Sequence, residues 1–219
     1  MIDLNIEFNR ANFESVMSRV ELLASKAEID KAINRAAKRA ADSAKTETVR
    51  LIGGEYTLPA SELRGTISTR NLGNGEIGAV MNISSSPFPM SKFSGVTPNE
   101  VMPPAKGPVR AQVKKSGSGA ELGKAFVAKM KSGHVGVFER EDEKRGDYDT
   151  QGNKTIPDRI KRNGKWVANT EKIHIEEKFS PSTPGMFKAN EKVNEPVREK
   201  AMGTFEKRVI HELERLMYG

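Results

Sequence analysis

The chain of 219 residues contains no cysteine, a single tryptophan and only three histidines. Without cysteine, disulfide bonds and thiolate metal sites are excluded. Aromatic residues make up only 6% of the sequence. No apolar run approaches the ~20 residues that span a bilayer, and the first residues, MIDLNIEFNRANF, differ from a secretory signal. We therefore expect a protein that is made in the cytoplasm and has no membrane partner.

The sequence motifs of catalysis and metal binding are also absent. The run HELER at 211–215 lacks the second histidine of a zinc-binding helix, and the acidic residues of 139–149 lack the spacing of a calcium loop. No G-x-S-x-G elbow occurs. We predict that the chain is not an enzyme and holds no metal or cofactor. His134 is expected to form a hydrogen bond in a turn.

What the chain does contain is basic charge, with a formal net charge of +7. Such an excess is typical of proteins that contact nucleic acid or an acidic protein surface, although a solvated helix flank would have the same composition. The candidate contacts with DNA or with a neighbouring subunit are Lys31, Arg35, Lys38, Arg39, Lys114 and Lys115.

Apolar residues recur at steps of three and four in two long segments. The first, 29–52, predicts a helix with a narrow face of alanines, and Gly53 and Gly54 are expected to stop it in a left-handed conformation. The second predicts a final helix that begins at about Ala189, or at Pro196 as a first-turn proline, and ends at Met217.

Alternating apolar and polar residues predict strands between and before these helices. We predict an α+β fold in a single domain, 1–219, in which long N- and C-terminal helices pack on a mostly antiparallel β-sheet with extended loops. The predicted strands are 2–8, 66–70, 76–83, 109–114, 125–130, 135–140 and 172–178.

Two segments are expected to be extended. Residues 84–108 form a proline-rich loop, and 139–170 form a charged loop or β-ribbon. Loops of this length often bind other proteins, so both are candidate contacts between subunits. The candidate anchors of these loops are Phe88, Met90, Phe93 and Trp166, whose alternative role is simple packing.

Several sequence blocks together resemble one protein family. They are AINRAAKRA at 32–40 with RLI at 50–52, YTLPAS at 56–61, AFVAKM at 125–130, SGHVGVFER at 132–140 and SPSTP at 180–184. With these blocks the chain resembles the tailed-phage minor tail protein Z family from about residue 28 onward. The segment 141–170 is longer and more charged than is usual in that family.

The resemblance implies a structural virion protein of a tailed phage or prophage, without enzymatic activity. Such a protein would complete the head-proximal end of the tail and help it join the head. The partners implied are other copies of the chain in a ring, with six as the expected number, the tail tube or tail terminator, head-connector proteins and DNA in the channel. The alternative, which the charge alone suggests, is a basic DNA-binding module.

Overall fold

The computed structural model describes residues 17–73, 75–97, 109–123, 125–140, 159–162, 164–168, 175–188 and 191–218. Contacts group the chain into two compact units. The helical unit comprises Met1–Phe88, Lys114–Ser116 and Pro181–Gly219, and the sheet unit comprises Pro89–Val113 and Gly117–Ser180. Long helices that pack together and antiparallel sheets confirm the predicted α+β class. The single domain stays a prediction.

Among its described residues, the helical unit contains four helices of six or more residues and one β-hairpin. The strands β1 and β2 pair in antiparallel register, with Ile67 opposite Ile83. Residues 17–20 are also helical. The elements are α1 (Lys26–Glu55), α2 (Ala60–Thr66), β1 (Ile67–Asn71), β2 (Ala79–Ile83), α3 (Thr183–Lys188) and α4 (Glu191–Tyr218).

The core of the helical unit lies between α1 and α4, which contact each other more extensively than any other two elements. The helix α1 buries small side chains at helical spacing, and alanines let the α4 backbone approach closely. Larger apolar residues of α4 fill the space that the alanines leave. The buried side chains include Ala32, Ala36, Ala40 and Ala44 of α1 and Val197, Phe205, Val209 and Leu213 of α4.

Both helix ends that the sequence predicted need correction. The predicted stop at Gly53 and Gly54 is wrong, because both glycines are helical, neither has a positive φ, and α1 ends at Glu55. Pro196 lies inside α4, which begins at Glu191, so the first-turn assignment of this proline is also wrong. The alternative start near Ala189 is close to the observed one.

The described residues of the sheet unit form one 3-10 helix, η1 (Met90–Lys92), and eight strands, all in antiparallel pairs. One sheet has the order β3-β4-β5 and another has the order β10-β7-β6, while β8 and β9 form a hairpin. The strands are β3 (Val96–Thr97), β4 (Val109–Ala111), β5 (Ala120–Leu122), β6 (Ala125–Lys129), β7 (Val135–Arg140), β8 (Arg159–Arg162), β9 (Lys165–Ala168) and β10 (Ile175–Glu177).

Two strand predictions are confirmed over nearly their whole length. The predicted strands 125–130 and 135–140 match β6 and β7, and 109–114 is shortened to the three residues of β4. The short strands β3 and β5 were not predicted. The predicted strand 2–8 lies outside the described residues, as do 98–108 of the proline-rich segment and 141–158 of the charged segment.

Candidate interaction surfaces

Four candidate contact residues, Lys31, Arg35, Lys38 and Arg39, lie on α1, and we call them the basic flank. Two of them, Arg35 and Lys38, form ion pairs within the helical unit. The Arg35 Nε lies 2.8 Å from Glu212 Oε2 of α4. Lys38 Nζ lies 2.6 Å from Asp42 Oδ1 and donates a hydrogen bond to Thr69 Oγ1 of β1 at 2.7 Å. These contacts connect α1 to the partner helix and to the β-hairpin.

Both carboxylates in these contacts ionise more readily than usual. Partial burial opposes ionisation of Asp42, but hydrogen bonds from Lys38 and Thr69 outweigh it, so the pKa of Asp42 lies below its ordinary value. Partial burial of Glu212 is likewise outweighed by the hydrogen bond from Arg35, which lowers the Glu212 pKa. The acids are therefore charged at neutral pH, and they neutralise the two cations.

The other two cations of the basic flank are Lys31 and Arg39, and both are exposed. Within the part of the chain that the structure describes, neither Lys31 nor Arg39 forms an ion pair. Of the four α1 residues predicted to contact DNA or a neighbouring subunit, these two can do so without breaking an intramolecular pair.

Lys114 and Lys115 lie at the C-terminal end of α1. The Lys115 backbone N–H donates to the Glu55 carbonyl and its Nζ donates to the Gly53 carbonyl, each at 2.7 Å. Lys114 Nζ lies 5.8 Å from the centroid of the Tyr56 ring. The last carbonyls of a helix lack intrahelical partners and carry partial negative charge. Lys115 thus satisfies the end of α1, which explains why the glycine pair is not needed as a stop.

The predicted loop anchors have different surroundings. Phe88 and Phe93 are buried, with 5% and 1% of their surface exposed. Met90 is half-buried, and its backbone N–H donates to the Lys178 carbonyl at 3.0 Å within the sheet unit. The backbone of Trp166 pairs with that of Lys161 in the β8–β9 hairpin. The side chain of Trp166 lies outside the part of the chain that the structure describes.

His134 forms a hydrogen bond, but to a residue of another strand in the sheet unit and not within its own turn. Its Nε2 lies 2.7 Å from Glu177 Oε1, and its ring meets Phe138 edge-on, with centroids 6.3 Å apart. Gly136 faces the same group, since a Cβ there would come within 2.5 Å of Glu177 Oε1 and 2.8 Å of the Phe138 ring. This packing joins the β6–β7 turn to β10. Among the described residues, no three His, Asp or Glu side chains lie close enough to hold a metal ion.

One surface that the sequence reasoning missed is a groove along α4 beside α1, where Thr204 Oγ1 donates a hydrogen bond to Ser43 Oγ at 3.1 Å. It has a volume of about 330 Å³, and its described lining consists of Glu199, Lys200, Gly203, Thr204, Lys207 and Arg208. We call it the α4 groove. The signal that could have revealed it is Gly203, a glycine inside a helix that costs about 1 kcal/mol relative to alanine.

Comparison with known proteins adds no relative: no protein-family model, curated protein or solved structure matches the chain. Among the described residues, no helix is both long enough and apolar enough to cross a membrane.

Proposed function

We propose that this chain is a structural virion protein of a tailed phage or prophage, which completes the head-proximal end of the tail and helps it join the head. It acts without enzymatic activity, as a ring of identical subunits. Its partners are the tail tube or tail terminator and the head-connector proteins, around DNA in the channel.

The observation that carries this proposal is the sequence resemblance, because its blocks coincide with framework elements of the fold. The block 32–40 lies in the part of α1 that packs on α4, and 56–61 forms the connection from α1 into α2. The blocks 125–130 and 132–140 form the β6–β7 hairpin. Residues that build the framework of a fold are the ones that related chains are expected to share.

The surface chemistry is compatible with assembly. Arg35, Lys38 and Lys115 bind groups within the subunit, whereas Lys31 and Arg39 form no ion pair with a described residue. Exposed cations beside paired ones leave part of the surface for acidic neighbours. The mechanism we propose is complementarity of shape and charge between copies.

The test is the mass of the purified full chain by light scattering, alone and after addition of tail tubes from the same phage, with electron microscopy of the tubes. A discrete ring, or a monomer that joins tubes at one end only, is expected. Protein that stays monomeric and ignores tube ends would contradict the proposal.

A DNA-binding module is the second candidate, favoured by the exposed cations Lys31 and Arg39. It predicts that the affinity for a 30-base-pair duplex falls steeply between about 50 and 200 mM salt. It also predicts that the double variant Lys31→Glu, Arg39→Glu loses that affinity, in a protein that forms no ring.

A further inference from the structure

The α4 groove is lined by a glycine, Gly203, and by more positive than negative side chains. No described residue has a heavy atom within 4 Å of a Cβ built at Gly203, so the floor of the groove is open. A helix interior with space for a side chain favours alanine over glycine. Close approach of another chain is a physical reason for glycine at such a position.

The charges around the groove have few partners. Three cations and one carboxylate line it, and Glu47 of α1 lies near enough to Lys200 for their charges to interact. Neither Lys207 nor Arg208 forms an ion pair with any described residue, and both are exposed. The groove therefore presents two cations that have no ion-pair partner among the described residues, beside an open floor, and this combination suits an acidic segment.

The same chain contains such a segment. Residues 141–149, EDEKRGDYD, hold five acidic and two basic residues, a formal charge of −3 in nine positions. Its sign is opposite to that of the groove. Two different surfaces that fit each other make a heterologous contact, and repeated heterologous contacts close a ring when the rotation between subunits allows it.

We propose that the α4 groove binds the acidic segment 141–149 of a neighbouring copy of this chain. The contact repeats head to tail and joins the subunits of the ring. This inference rests on the proposed function, for which it names the surfaces that touch.

Two variants of the full chain test the contact. The groove variant carries Lys207→Glu and Arg208→Glu, and the segment variant carries Glu141→Lys, Asp142→Lys and Glu143→Lys. Each variant places like charges opposite each other at the proposed contact. The protein concentration at which half of the subunits are assembled should therefore rise about tenfold or more. The assembly is followed by sedimentation velocity in solution, or on tail tubes if the wild type assembles only there. The matched control, Arg64→Glu with Lys26→Glu, reverses two exposed cations elsewhere and should change that concentration less than about twofold.

Mixing the groove and segment variants gives the sharpest result. Each variant repels itself, but each complements the other at both contacts. An equimolar mixture should therefore assemble at close to the wild-type concentration, in rings with an even number of copies. Gly203→Leu should block assembly by filling the groove, whereas Gly54→Leu, at another helical glycine with open space around its Cβ, should not.

Three outcomes would overturn the contact: groove and segment variants that assemble like the wild type, a mixture that stays unassembled, or a groove variant that loses only binding to a 30-base-pair duplex. Failure of the proposed function looks different. If the mixture is rescued but its rings ignore tube ends, the contact stands without the tail role. If wild-type rings join tube ends and the groove variant does so equally well, the tail role stands without the contact.

Discussion

The two long helices both carry cations on their surfaces, but those cations have different environments. On α1, Arg35 and Lys38 are held by Glu212 and Asp42. On α4, Lys207 and Arg208 border an open groove and form no ion pair with a described residue. The presence of cations on both helices therefore does not mean that all of them are available to a partner. A basic residue can recognise a partner only if its charge is not already compensated within the subunit.

The largest effect should come from the face that the two helices share. Phe205→Ala should lower the free energy of unfolding by about 3–5 kcal/mol, because it leaves a cavity against the alanines of α1. Phe205 is only 5% exposed, whereas Tyr218 of the same helix is 84% exposed. Tyr218→Ala is therefore the control and should change stability by less than about 0.5 kcal/mol. Chemical denaturation measures both, and equal effects would contradict the assignment of the core.

At Gly203 in the α4 groove, the sign of the effect should reverse. Gly203→Ala should raise the free energy of unfolding by about 0.5–1 kcal/mol, because alanine favours the helix and meets no described atom. Gly54→Ala should raise it less, since Gly54 is one residue from the end of α1. The stabilities of the two variants are compared by thermal unfolding at low protein concentration. A destabilised Gly203→Ala protein would mean that the groove is filled within the subunit.

On the α1 flank, the contact of Asp42 with Lys38 and Thr69 should contribute stability that depends on pH. At pH 7, Asp42→Asn should lower the free energy of unfolding by about 0.5–1 kcal/mol, a value reduced by solvent screening. Because the pKa of folded Asp42 is depressed, this contribution is complete above the unfolded value of about 4. It disappears as the pH falls through the lower, folded value.

Denaturation of wild type and Asp42→Asn at several pH values checks this expectation. The two curves should converge as the pH falls through the depressed pKa of folded Asp42. A stability difference that does not change as the pH falls would show that the carboxylate charge is not the cause.

The smallest effect belongs to the ion pair between the helices. A double-mutant cycle with Arg35→Ala and Glu212→Ala should give a coupling energy of about 0.3–1 kcal/mol, because the Arg35 side chain is 46% exposed. The coupling should shrink in 1 M salt, where charges are screened within about 3 Å. A larger coupling that resists salt would indicate that the pair is shielded from solvent and that the α1 flank is an interior surface.

Much of the fold was predictable from local pattern. The spacing of alanines and isoleucines predicted α1, because apolar residues at steps of three and four lie on one face of a helix. The apolar runs on either side of residues 131–134 predicted β6 and β7. Strands of two or three residues, such as β3 and β5, contain too few positions for a period to be seen.

The interaction surfaces were less predictable, because they depend on residues far apart in the chain. Arg35 and Glu212 are separated by 177 positions, and Lys115 and Gly53 by 62. A run of cations in the sequence therefore does not indicate which of them are paired. The α4 groove is lined by residues of one helix, but local sequence does not indicate whether another part of the chain packs against Gly203.

The sequence alone determined the helical and strand periods, the absence of cysteine chemistry and the excess of positive charge, since these depend on residue identity and local spacing. Tertiary structure decided which cations are neutralised, where α1 ends and which glycine borders open space. The physical reason is that charge compensation, helix capping and free volume arise between side chains and carbonyls that only folding brings together.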